Sequence, residues 1–188
     1  AELKECLKKN VENRIIDEIY LISKTDNFDV PDRCTVLIGQ RPTYDDFFRL
    51  INEGVAPDDI SIIANSDIFF DKSIGAVAKM SDNDCYALSR WDILDGDKIE
   101  HHNVGRSEDV WIFRGQIKKT RPCGFHVGIA GCDNSIAYWL LDAGYNISNP
   151  SYHIKSYHLH LSEVRNYDKN DKIPGPYHLV FPTQLIKL

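Results

Sequence analysis

The run Asp59-Ile60-Ser61-Ile62-Ile63-Ala64-Asn65-Ser66-Asp67 decides how the rest of the chain reads. Pro57-Asp58 stands before it, an apolar stretch follows, and the stretch stops at a polar triplet. A short apolar run bounded by turn residues reads as a buried strand over 59–64. In an open α/β sheet, ligands bind beyond the carboxyl ends of the strands, so Asn65, Ser66 and Asp67 face a site. Carboxylate and amide oxygens suit a hard divalent cation, manganese or magnesium, and leave positions for water and phosphate oxygens. The same triplet also fits an Asx turn that satisfies nearby backbone N–H groups.

Upstream of this junction, Ala1 to Arg14 carries Leu3, Cys6, Leu7 and Val11 at helical spacing, and Ile15–Ser23 and Cys34–Gly39 read as short strands. Thr43 to Glu53 predicts a helix with Thr43 as cap and Asp45 and Asp46 in its first turn, stopped by Gly54. Downstream, Ser73–Met80 is helix-like, and Cys85–Arg90 and Val110–Phe113 are strands separated by a polar, loop-like stretch over Asp92–Ser107. Ser135–Ala143 predicts a helix closed by Gly144, with Asp133 at its start as an N-cap candidate. Tyr152–Leu161 reads as a strand that puts His158 and His160 on one face. Residues from about 168 to 188 carry three prolines and read as a wrapping tail or the exit to another domain.

Composition narrows the classes. A chain of 188 residues with 43% hydrophobic and 27% charged content fits one globular domain, and its opening in mid-architecture leads us to expect a domain excised from a longer protein. Its net charge of -6, with scattered Lys and Arg, argues against a nucleic-acid partner. No stretch is apolar over the length a membrane span needs. The five cysteines include no Cys-x-x-Cys pair, which predicts free thiols and a reducing compartment, the cytoplasm. The motifs of Rossmann oxidoreductases, P-loop enzymes, nucleophile-elbow hydrolases and zincins are missing.

Further candidates surround the triplet in function. His158 or His160 can give a cation an imidazole ligand, or can simply hydrogen-bond locally at the surface. Asp133 can serve as a base or accept a bond from a sugar hydroxyl, although a capping carboxylate has a lowered pKa and is a poorer base. Ser107-Glu108-Asp109-Val110-Trp111 sets acids beside an aromatic, a combination suited to sugars, while Trp111 fits a core equally well. Arg41 and Tyr44 flank the start of the Thr43 helix, where a guanidinium can meet phosphate and a ring can meet a base. Lys155 and Arg165 bracket the histidines and can neutralise a leaving diphosphate, or stand as isolated surface charges.

Six stretches, Arg41–Asp45, Ile62–Asp71, Ala87–Asp92, Ser107–Arg114, Gly131–Asn134 and Ile154–His160, resemble glycosyltransferases of the GT-A fold. More narrowly, they are similar to viral glycosyltransferase domains that build capsid glycans. The resemblance implies an α/β fold with a central, mostly parallel mixed sheet flanked by helices. It implies a UDP-sugar donor held through manganese or magnesium and a carbohydrate or glycoprotein acceptor. Asp67 takes the place of the last acid of the family's D-x-D motif, and Asn65 replaces the first, which makes an added ligand from His158 or His160 more necessary. Asp133 matches the family's acid at a helix start near the acceptor, and Asp109 joins it in positioning donor sugar or acceptor. A viral origin would make the compartment the host cytoplasm. Two rival readings are a nucleotidyltransferase or pyrophosphorylase, whose glycine-rich basic loop is missing, and a carbohydrate-binding module using Trp91, Trp111 and Trp139.

Overall fold

The computed structural model describes residues 2–94, 98–102, 104–159 and 171–185. Its helices are α1 (Glu2–Glu12), α2 (Tyr44–Gly54) and α3 (Cys132–Asp142), with a 3-10 helix over Lys72–Lys79. The strands are β1 (Ile19–Ser23), β2 (Cys34–Ile38), β3 (Ile60–Ala64), β4 (Ile68–Phe70), β5 (Asp84–Leu88), β6 (Trp91–Ile93), β7 (Ile99–His101), β8 (Val110–Arg114), β9 (Asn146–Ser148) and β10 (Ser156–Leu159).

Apolar runs build the first of the larger sheets, in the order β3-β8-β5-β9. Successive β8 side chains point to opposite faces. Trp111 and Phe113 enter one core cluster with Tyr44 and Phe48 of α2 and Ile136, Ala137 and Leu140 of α3. Val110 and Ile112 enter a second with Phe70 of β4 and Ile74 and Val77 of the 3-10 helix. A sheet covered on both faces needs apolar residues at every position, which is why Val110-Trp111-Ile112-Phe113 does not alternate.

The expectation of one central, mostly parallel GT-A sheet is overturned. Among the described residues the strands form three separate small sheets, β1-β2, β4-β10-β6-β7 and β3-β8-β5-β9. Four of the seven strand pairings described are antiparallel, among them both of those made by β8. A buried run reads the same whichever way its neighbours run, so direction was not written in the apolar pattern. The 92–107 stretch, expected to be loop, contributes β7 and most of β6, and β9 is a further strand outside the expected set. Each is three residues long with exposed or half-buried positions, too short for alternation to register.

Local chemistry explains the ends that matter. Thr43 caps α2 in a complete capping box: its hydroxyl accepts from the Asp46 N–H, and the Asp46 carboxylate accepts from the Thr43 N–H at 2.9 Å. The cap of α3 is Gly131 at φ 80, not Asp133, which falls at the second helical position. Along α1, Asn10 pairs with the edge of β4 as another strand would, donating to Ile68 O at 2.9 Å and accepting from Phe70 N at 3.1 Å. Among the described residues, no helix is long and apolar enough to cross a membrane.

Candidate functional site

The directions of three strands create the site. β3 and β5 both run antiparallel to β8, and Ala64 and Leu88 both stand opposite Val110. The carboxyl ends of β3 and β5 therefore meet the amino end of β8, which brings Asn65–Asp67, Arg90–Asp92 and Glu108–Asp109 to one end of the sheet. In the neighbouring sheet, β10 sets His158 opposite Ile68 on one side and Asp92 on the other.

These side chains form one connected network. Asn65 Nδ2 donates to Asp109 Oδ1 at 2.8 Å, and the two residues are also tied by Asn65 N–H to Asp109 O at 3.1 Å. Arg90 donates to Asp109 Oδ2 at 2.9 Å and to Asp92 Oδ1 at 2.7 Å. His158 joins Asp92 Oδ1 through Nδ1 at 2.8 Å and faces Asp67 Oδ2 through Nε2 at 3.3 Å. An imidazole between two carboxylates is a double donor, so burial, which pushes its pKa down, is outweighed by Asp67 and Asp92, and the His158 pKa is raised. Burial likewise pushes the Asp67 carboxyl up, and bonding to His158 with its charge brings it net down. Asp92 is held down in the same way, against burial, by Arg90 and then His158.

A charge count shows what the network lacks. Three carboxylates (Asp67, Asp92, Asp109) against one guanidinium (Arg90) and one imidazolium (His158) leave one negative charge in a partly buried place. His102, with Nδ1 3.8 Å from Asp92, does not cancel it, because burial and then Arg90 lower its pKa. Asp67 Oδ1, moreover, is buried with no hydrogen-bond partner. An unpartnered carboxylate oxygen beside a surplus negative charge fits a hard cation. Asp67 Oδ1, with Asn65 and with His158 Nε2 once its proton is given up, would be the groups to hold one. Among the described residues, no group of three His, Cys, Asp or Glu side chains stands preassembled as a cage.

Beside the network, Asp133 accepts from the Cys132 thiol at 3.2 Å and from Tyr44 Oη at 3.5 Å. Asp133 keeps some exposed surface yet lies deep among protein atoms; burial, and then the Asp109 charge, push its pKa up to about 7. The sequence had placed it at a helix start with a lowered pKa, and enclosure reverses that sign. Behind it Glu108 is only 2% exposed, and burial, then Asp133 and Asp109, drive its pKa up to about 9.

The remaining candidates lie differently. Ser66 is exposed between Asn65 and Asp67. Tyr44 is 0% exposed, its ring edge-on to Trp111 and Phe125, so no ring face is left for a nucleotide base. Arg41 donates from Nε and Nη2 to Val127 O at 3.1 and 2.6 Å, and so anchors the loop before α3. Lys155 Nζ lies 5.1 Å over the Trp91 ring, near the network but outside it. His160 and Arg165 fall outside the described residues. Arg90 and Asp92, central to the network, were not singled out from sequence as site residues. Their signal was the one used for Asn65-Ser66-Asp67: a polar cluster just past a buried strand, here β5. A separate cleft of ≈ 510 Å³, lined by Lys4, Asp26, Asn27, Phe28 and Asp29, shares no residue with this site.

No family model matches the chain, and comparison with curated proteins and with solved structures finds no match either.

Proposed function

We propose that this chain transfers a hexose or deoxyhexose from a UDP-sugar to a glycan or glycoprotein acceptor, with manganese or magnesium held at Asp67. The observation that carries this reading is the buried, unpartnered Asp67 Oδ1 in a network one negative charge in excess. The sequence motifs that resemble nucleotide-sugar transferases add the substrate class. When bound, the cation supplies neutralisation and Lewis-acid assistance to the departing diphosphate.

The chain's own residues divide the work. Asp67, Asn65 and His158 would hold the cation, whose charge would hold the diphosphate, and Arg90 keeps Asp92 and Asp109 in place. Asp133, with a pKa near neutrality, takes the proton from the acceptor hydroxyl as that oxygen forms its bond to the anomeric carbon. The bond from that carbon to the phosphate oxygen breaks, and its electron pair leaves with UDP. A base on the acceptor side suits a single displacement with inversion. Free cysteines suit work in the cytoplasm.

A carbohydrate-binding module is less well supported, because its aromatic platforms are taken. Trp111 is 2% exposed, and Trp91 lies between Lys155 and His101. Calorimetric titration of UDP tests the reading: we expect heat of binding with manganese and none without it. Asp67→Ala is expected to remove that heat while its thermal unfolding stays cooperative. Unchanged affinity in Asp67→Ala, or UDP binding that ignores manganese, would overturn the assignment.

A further inference from the structure

Among the described residues, the β1-β2 sheet stands outside both core clusters. Its strands are apolar, yet no residue of either is buried, and Tyr20 and Ile38 are 54% and 61% exposed. The two strands run parallel. Parallel sheets are ordinarily covered on both faces, and two strands alone are marginal in water, so this sheet calls for a partner.

The outer edge of β1 is open to one. The Ile19 N–H donates to Arg33 O at 2.9 Å and the Gly39 N–H to Ser23 O at 2.8 Å, so the odd-numbered residues of β1 bond to β2. The backbone groups of Tyr20 and Ile22 therefore point the other way, where they meet no backbone partner among the described residues. A row of unpaired N–H and C=O groups is a template for another strand.

The residues around that edge fit a copy of themselves. They read Asp17-Glu18-Ile19-Tyr20-Leu21-Ile22-Ser23-Lys24, acidic before an apolar run and basic after it. Laid antiparallel on a second copy with Leu21 opposite Leu21, the strand sets Tyr20 opposite Ile22 and Glu18 opposite Lys24, on both sides of a two-fold axis. Tyr20 and Ile22 are the residues whose backbone groups point outward, so each such pair exchanges both of its N–H to C=O bonds. Glu18 and Lys24 are both exposed, and the Tyr20 hydroxyl donates to Glu18 Oε2 at 2.9 Å, which keeps that carboxylate beside the strand. Parallel self-pairing in register would instead set Glu18 beside Glu18, like charge against like.

We propose that β1 is a self-association edge, which joins a second copy of this chain antiparallel about Leu21 into a sheet of order β2-β1-β1-β2. The dimer is independent of the transferase reading, since no residue of the Asp67 network belongs to β1 or β2.

Sedimentation equilibrium of the native chain, from about 1 μM to about 1 mM, tests it and is expected to show a monomer–dimer equilibrium. Glu18→Lys sets like charges opposite each other at both ends of the pairing and is expected to weaken association about tenfold. Adding Lys24→Glu to that variant restores the match and is expected to bring affinity back to within about twofold of native. Hydrogen exchange followed by NMR should show the Tyr20 and Ile22 amides slowing as the dimer fills. A native chain that stays monomeric throughout overturns the proposal. So does a double variant that associates no better than Glu18→Lys, or a dimer in which the Tyr20 and Ile22 amides exchange as fast as in the monomer.

Discussion

Two buried acids and a charged imidazole set the pH behaviour of this molecule, and their effects have the same sign over the neutral range. Glu108 and Asp133 have higher pKa values folded than unfolded, so the unfolded chain releases their protons first and stability falls as pH rises. For Glu108 the fall runs from its ordinary 4.5 to about 9, and for Asp133 from 3.8 to about 7. His158 adds stability below its ordinary 6.5, and this is lost as pH rises through its raised folded value. Asp67 and Asp92 act at the other end: their pKa values are lowered on folding, so their contribution is present above the ordinary 3.8 and is lost as pH falls through the folded values. Thermal unfolding followed from about pH 5 to about pH 9 is therefore expected to show a falling Tm. Glu108→Gln should flatten that fall, since it removes the group that titrates over the widest span; equal slopes in the two proteins would mean that Glu108 ionises freely. At this scale the polar residues past the buried β3, Asn65 and Asp67, stand in one network with Asp109 and His158, and Asp133 lies beside it. Arg90 and Asp92 were missed because a basic and an acidic residue two apart look like any surface pair until β5 and β10 bring them together. The sign of the Asp133 shift was illegible for a related reason, since a helix start is a local feature whereas burial and the Asp109 charge are not.

Elements were legible in proportion to their length. The apolar runs of β2, β3, β5 and β8 and the capped α2 stand where the sequence put them, within a few residues, because burial and capping are written locally. The three-residue strands β6, β7 and β9 owe their state to neighbours rather than to their own pattern. The start of α3 shows how an element serves the site. Gly131 caps it at φ 80, a left-handed backbone that side chains disfavour, and a Cβ there would lie 3.0 Å from Ile173 O and 3.1 Å from the Tyr177 hydroxyl. Both the turn and the close approach fix the direction in which Cys132 and Asp133 leave it. Gly131→Ala is expected to cost about 2 kcal/mol of stability in chemical denaturation. It should also slow sugar transfer more than it weakens UDP binding, because it shifts Asp133 and leaves Asp67 alone. A loss confined to UDP binding would place the two halves of the site the other way round.

At the scale of the whole chain, the site depends on segments far apart in sequence, and the last described segment, 171–185, ties them together. Its Val180 is 5% exposed within the core that holds Trp111 and α3. The Ile173 N–H donates to Ala130 O at 2.9 Å and the His178 N–H to Asn134 O at 2.9 Å, bracketing Gly131 and Asp133. Further along, Asn149, wholly buried, donates to Val180 O at 3.0 Å and to Ser89 Oγ at 2.8 Å, and accepts from Thr183 N on its carbonyl at 2.6 Å. The described segment is thus a strap across the start of α3 and the ends of β5 and β9. What the sequence could not give was where it docks, because its partners are backbone carbonyls that any residue offers. Removing residues 171–188 takes away one buried valine, worth about 2 kcal/mol, and several hydrogen bonds of about 1 kcal/mol each. For a domain of this size the expected fall in Tm is on the order of 10 °C. The point mutant Asn149→Ala should lower Tm by several degrees through the same joint, leaving the Ser89 and Val180 groups unbonded. If the strap holds only the α3 side of the site, manganese-dependent UDP binding survives the truncation at reduced temperature while transfer is lost. Loss of both together in a truncated chain that still unfolds cooperatively would show that α3 and the Asp67 network are one mechanical unit.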